Sequence, residues 1–296
     1  MQFDVQGRRT LHSKGKRQRN RALWLLLPMG AIAALFVAAP LIYVIGISFL
    51  QRGESMRAAG PATVDNYLRM FDARYARVML DSISIAAYTT LLSLLIGYPF
   101  AYFMARAKPK WRNILMLLVI VPFWTNALVR VYGWRILLLA NGPINTFLLH
   151  IGLIDRPLKL LFTYGAMLLG MVYSLLPFMI LPVYSSVEKM DWQCEAAARD
   201  LGAGPWRAFF TVTLPLTMPG VLAGCVLVFV PSIGLFFISD LLGGGQVMVI
   251  GNLIRDQLMK ARDWPFGAAL SVALLLVTCA ALWGYRRAGG KDLEVF

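Results

Sequence analysis

Glu195, Arg199 and Asp200 lie in the run Glu195-Ala196-Ala197-Ala198-Arg199-Asp200-Leu201-Gly202-Ala203-Gly204-Pro205, a polar island between two long apolar stretches. Charges so placed do mechanical rather than covalent chemistry. Glu195 and Arg199 are four residues apart, in the favourable order for a helical ion pair, on strong helix formers. Gly202-Ala203-Gly204 predicts the end of that helix, because glycine accepts the left-handed backbone found there. Pro205 suits the first turn of a second short helix. Trp206, Phe209 and Phe210 give that helix an apolar face, and Leu214-Pro215 turns the chain back. The predicted product is a helix–turn–helix elbow with charged and apolar positions on which a soluble partner can push. A merely solvated loop is the plainer alternative.

A second group sits inside apolar sequence. Trp124, Thr125, Asn126, Arg130 and Tyr132 interrupt one run, and Pro231, Phe236, Phe237 and Asp240 mark the end of another. On a straight helix Asn126 and Arg130 share a face. Arg130 would then lie roughly 24 Å from the span's inner end. A mid-membrane arginine costs about 2.5–3.5 kcal/mol on insertion scales, less toward the surface, and Arg135 can snorkel to water. Arg130 can serve an interhelical hydrogen bond, a buried ion pair or contact with a permeating solute. Asp240 can pair with Arg130 as a gate, touch a cationic solute alongside these aromatics, or reach water. The group Pro231, Ser232 and Gly234 predicts a kink or break, as in helices that line a pathway or simply pack around a bend.

Catalytic constellations are not found. His12 and His150 are the only histidines and cluster with nothing, and Cys194, Cys225 and Cys279 suggest no disulfide framework. A catalytic or metal site is not expected. Phosphate-cradling G-x-x-x-x-G-K-S/T sequence is lacking as well. The run Leu241-Leu242-Gly243-Gly244-Gly245-Gln246 superficially matches an ATPase signature, with nothing around it to form a nucleotide site.

The elements that must hold these residues are membrane helices. Of 296 residues, 58% are hydrophobic and 15% charged, against about 25% charged in soluble domains. Apolar runs long enough to span fall at 23–50, 79–105, 114–139, 163–186, 217–239 and 266–285. The first run exceeds the core of a secretory signal and is followed by the others, so it is expected to be a retained helix. Outer segment 51–78 contains Asp65-Asn66-Tyr67 and predicts a short interfacial helix. Asn141-Gly142-Pro143 opens a second outer segment with a turn.

Net charge is +14, with seven basic residues in 1–22 and four more, Arg106, Lys108, Lys110 and Arg112, in the loop 106–112. Basic loops stay inside, which puts both termini in the cytoplasm, in parity with six spans. Anionic lipid accounts for the basic tail without nucleic acid. The expected organisation is a basic cytosolic tail 1–22, a permease domain 23–285 with a coupling loop 188–216, and a cytosolic tail 286–296.

The run EAAARDLGAGPWRAFFTVTLP resembles the Glu-Ala-Ala loop of the inner-membrane permease subunits of binding-protein-dependent ABC importers. Glu195, Ala196, Ala197, Gly202 and Pro215 match that motif at its spacing. IGYPFAYFMA, VPFWTNALVRVYG, LPFMILPVYSS, LPLTMPGVLAG and RDWPFGAA look like the spermidine/putrescine importer permeases of the B type. The likeness covers all but about the first 20 residues. It implies an all-α polytopic protein of the type I importer permease fold, in a bacterial inner membrane, importing a small-molecule solute by alternating access. It also implies a second homologous permease, two ATPase subunits that bind ATP and Mg and perform the hydrolysis, and an extracytoplasmic solute-binding protein. This chain would then be no enzyme itself. Coupling would fall to Glu195, Ala196, Ala197, Arg199, Asp200, Gly202, Gly204 and Pro215. Related importers carry other amines, amino-acid derivatives and opines. A channel, the different-class alternative, has no need of the elbow.

Overall fold

The computed structural model describes residues 28–53 and 58–287. The predicted tail 1–22 lies outside the described residues, as do 288–296. Span α1 is Pro28–Ser48, with a mean hydropathy of 2.3 and none of its apolar window buried. It leads into the two-residue strands β1 (Gln51–Arg52) and β2 (Ala58–Ala59), then α2 (Asp65–Arg69). A short helix is therefore present in the segment where one was predicted. Asn66 anchors it by donating from Nδ2 to the carbonyls of Ser48 and Leu50, both at 2.9 Å.

Span α3 is Ala73–Arg106. At 1.5 Å per residue it is roughly 50 Å long, longer than a ~30 Å hydrocarbon core, so its ends stand among the headgroups. The next predicted span is not one helix. It divides into α4 (Pro109–Ile120), a 3-10 turn at Val121–Trp124, and α5 (Ala127–Leu137), with a bend of 97°. Pro122 removes a backbone donor, and Thr125 adopts an extended conformation. Asn126 then caps α5, its Oδ1 accepting from the N–H of Leu128 at 2.8 Å. The straight-helix expectation that Asn126 and Arg130 share a face is corrected accordingly: Asn126 precedes the helix that carries Arg130. Val121-Pro122 followed by a good N-cap was the signal for it.

Helix α6 (Pro143–His150) is short, and Asn145 pins its outer segment through both Leu139 and Leu158. Span α7 (Tyr164–Glu188) runs through Pro177 and Pro182 without a break. Helix α8 (Trp192–Asp200) follows. Span α9 is Pro205–Gly234, continuous through a π turn at Phe209–Thr213. The predicted second elbow helix is thus the N-terminal extension of this span. The π turn lets the helix pass Pro215 and bend instead of ending.

Span α9 stops at Gly234, and α10 (Phe236–Gly243) continues after Leu235, whose ψ of 66 is non-helical. The predicted break near Pro231-Ser232-x-Gly234 is therefore observed. Helix α11 (Ile250–Met259) lies across it, and α12 (Trp264–Arg287) is the last span. Among the described residues, five helices are long and apolar enough to cross a membrane, and six if α4 and α5 form one broken span.

Spans α3, α7 and α9 form the central packing unit, with α1 set apart against α12. Tyr98, Met104, Met179, Val183, Val187 and Val228 fill the core between them. Lipid tails are as apolar as leucine, so close approach of backbones does much of the work. Gly220 and Gly224, a small-xxx-small pair on α9, lie against Pro182 and Met179 of α7.

Candidate functional site

The elbow is built as its caps require. Asp191 starts α8, its side chain accepting from the N–H of Gln193 at 2.9 Å. At the other end the N–H of Gly202 bonds the carbonyl of Arg199 (2.9 Å) and that of Ala203 bonds Ala198 (3.0 Å). These are the paired bonds of a Schellman cap, with Gly202 left-handed at φ +87. A β-carbon on Gly202 would meet nothing within 4 Å, so only the backbone angle demands glycine. Gly202→Val should strain the turn by about 1–2 kcal/mol and cut uptake about tenfold, with the chain still in the membrane and basal ATPase activity retained. Gly202→Asn, which tolerates that backbone angle, should lose less. Comparing membrane content, ATPase rate and uptake for both variants checks it.

Glu195 is 3% exposed and faces inward. Its carboxylate accepts from Nη2 of Arg199 (2.6 Å) and Nη2 of Arg106 (3.2 Å). Further donors are the hydroxyls of Tyr102 and Thr213, both at 3.3 Å. The guanidinium of Arg106 also lies 4.6 Å from the Trp192 ring and 4.9 Å from the Tyr102 ring. One carboxylate therefore ties α8 to the C-terminal end of α3 and to the π turn of α9. The predicted Glu195–Arg199 pair is present. Arg106, Tyr102 and Thr213 were not singled out for this role, and with Arg106 89 residues away in sequence no local spacing could signal it.

Ala196, Ala197, Arg199, Asp200, Gly202, Gly204 and Pro215 all face outward. Beside them Leu201 is 89% and Trp206 75% exposed. Among the described residues no group of three metal-ligating side chains comes together.

The outer group divides in two. Phe123, Thr125, Asn126, Arg130, Ser174 and Phe237 line an open cleft of about 520 Å³. Arg130 lies 5.1 Å from the Phe123 ring and 5.8 Å from that of Tyr173, and neither its Nε nor the Ser174 hydroxyl has a hydrogen-bond partner. Trp124 and Tyr132 do not line this cleft, and Pro231 is on the exposed side of α9.

Of the roles open to Asp240, the gate pair with Arg130 is not what forms. Asp240 binds Nη1 of Arg255 through one oxygen and Nδ2 of Asn252 (2.7 Å) through the other. Asn252 and Arg255 lie on α11, which packs on α10, so both reach Asp240 while Arg130 stays on its aromatic rings. Arg255 also lies 5.2 Å from the Phe236 ring. On the same helix Asp256 and Lys260, four residues apart, form an ion pair at 2.9 Å. Burial alone would push Asp256 up, but hydrogen bonds from Lys260 and Arg255 hold it below the usual carboxylate range. The stabilisation this gives is complete above the unfolded-state value and lost only as pH falls through the depressed one, so it persists at neutral pH.

A second outer brace lies nearby. Arg69 pairs with Asp263 at 3.0 Å and covers Phe266 at 4.3 Å, tying α2 to the start of α12.

The family model described as "Binding-protein-dependent transport system inner membrane component" matches residues 97–287. The spermidine/putrescine transport system permease protein PotB of Escherichia coli (strain K12) is 48% identical over 254 residues, covering 86% of this chain and 92% of that protein. Its Haemophilus influenzae counterpart is 46% identical over 253 residues, covering 86% and 88%. Among solved structures, a chain of a bacterial alginate ABC transporter, in complex with alginate pentasaccharide-bound periplasmic protein, superposes with a TM-score of 0.70. That match has 19% identity and covers 94% of this chain and 98% of the other, a likeness of fold.

Proposed function

Because the chain belongs to the binding-protein-dependent transport system inner membrane component family, we propose that it is the permease subunit through which an ATP-driven importer carries polyamines inward. The observation that carries the substrate is 46–48% identity to spermidine/putrescine permeases along nearly their whole length. As a bacterial inner-membrane, multi-pass protein it would work beside a second homologous permease. Two ATPase subunits would bind ATP and Mg, and an extracytoplasmic binding protein would deliver solute. Charge distribution supports cytoplasmic termini, a permease unit at 23–285 and a coupling loop at 188–216.

The elbow gives the proposed mechanism its lever. Closure of the ATPase subunits would push on the exposed face of α8, around Ala196, Ala197, Asp200 and Leu201. Glu195 would pass that displacement to α3 through Arg106 and to α9 through Thr213. The break at Leu235 would let the outer end of α9 reorient separately from α10. Alternating access follows if the pathway closes on one side as it opens on the other.

The test is uptake of labelled spermidine and putrescine by cells with and without this chain, partner subunits being present. Saturable uptake lost on deletion supports the proposal. Unchanged polyamine uptake, with an ATPase subunit still co-purifying, moves the substrate to another small solute such as an amino-acid derivative or opine. Passive, ATP-independent flux would favour a channel.

A further inference from the structure

We propose that Asp240 and Phe236 form a subsite for an alkylammonium group of the solute, and that Arg255 is a tethered cation holding that subsite until solute displaces it. The proposal rests on the polyamine reading above.

A carboxylate beside an aromatic face is what a protonated amine seeks. Here the place is taken by a cation from the chain itself. The guanidinium of Arg255 lies over the Phe236 ring at 5.2 Å and donates from Nη1 to Oδ2 of Asp240. The other carboxylate oxygen, Oδ1, is held by Nδ2 of Asn252 at 2.7 Å. Asn252 in turn accepts from the N–H of Val249 at 3.1 Å, so Asp240 keeps its orientation if Arg255 moves.

Arg255 has a second anchor. Its Nε and Nη2 donate to Oδ1 of Asp256 at 3.1 and 2.9 Å. Breaking the bond to Asp240 therefore leaves the guanidinium paired, on a shorter tether. The exchange replaces one cationic partner of Asp240 by another, while Asp256 keeps the displaced guanidinium. A neutral or anionic solute gains nothing at this site, which makes the device selective for cations.

Position and access agree with this role. Asp240 and Phe236 lie on α10, directly after the break in the fifth span, and Leu235 and Phe237 beside them line the cleft. The side chains of Arg255 and Asp240 are 30% and 33% exposed, so solute can reach them. The cleft itself contains Arg130 and no carboxylate. Asp240 is the carboxylate that α10 offers beside that cleft.

A brace between α10 and α11 would use the same contacts, and the two roles predict different signs. The whole complex is placed in lipid nanodiscs without its binding protein, and equilibrium binding of labelled spermidine is measured. Asp240→Asn should weaken binding about tenfold, the loss of one charge-assisted contact. Arg255→Gln removes the competitor, and should tighten binding severalfold. Arg69→Gln, which opens the separate pair with Asp263, should leave affinity unchanged. If Asp240→Asn and Arg255→Gln shift affinity in the same direction, or neither shifts it, the pair is a brace and the subsite is overturned. Spermidine uptake by the wild type without measurable binding to the nanodisc complex also overturns the subsite alone. Wild-type complex that neither binds nor imports spermidine overturns the polyamine reading, and the subsite with it.

Discussion

Glu195→Lys is expected to abolish solute uptake while the chain remains in the membrane and the ATPase continues at a basal rate. The wild-type carboxylate is 3% exposed and accepts from four side chains on α3, α8 and α9. Lysine would bring a third positive charge to Arg106 and Arg199. At about 4 Å and an effective dielectric near 20, each like-charge contact costs about 4 kcal/mol. Arg106 and Arg199 are 46% and 47% exposed, so they can swing to water and much of that cost is relieved. The fold therefore survives, but the tie between the elbow and α3 does not. Glu195→Gln keeps the shape and loses the charge, and should give an intermediate loss of uptake, about tenfold. Parallel assays of uptake and ATP hydrolysis in membrane vesicles decide the matter. Normal uptake by Glu195→Lys would remove Glu195 from the coupling path.

Gly220→Val is expected to act on assembly instead. A β-carbon at Gly220 would lie 2.5 Å from the carbonyl oxygen of Pro182 and 2.3 Å from Oγ of Ser186. The serine can rotate away, but the backbone carbonyl cannot, so α7 and α9 would have to separate. Overpacking of this kind costs about 1–3 kcal/mol for a small group, and the branched side chain of valine adds to it. The variant should accumulate poorly and lose several degrees of thermal stability in detergent, with Gly220→Ala in between. Gly46→Ala provides the comparison, since a β-carbon there meets nothing within 4 Å in this chain. Similar melting of Gly220→Val and Gly46→Ala in a fluorescence thermal-shift assay would show that α7 and α9 can yield at this crossing.

Much of the architecture was readable before any coordinates. Hydropathy located the spans, because lipid requires a long apolar helix wherever the chain crosses. Cap chemistry located the elbow: Gly202 is left-handed where expected, and Pro205 begins the next helix. Glu195 and Arg199 pair because four residues bring them onto one helix face. The break before α10 was foreshadowed by Pro231 and Gly234. Pro122 and Asn126 carried an equivalent signal for the 97° bend, which the apolar character of the run obscured.

Contacts between helices were a different matter. Arg106 reads in sequence as an inner-surface charge, and only the fold brings it onto Glu195. By composition Asp240 has many arginines to choose from, and the packing of α11 over α10 gives it Arg255, not Arg130. The sequence by itself thus determined the spans, their turns and caps, and the elbow, all set by forces acting within a few residues. The tertiary structure alone decided which charges meet across helices, because such an ion pair depends on ångström-scale distances between helices that no local spacing encodes.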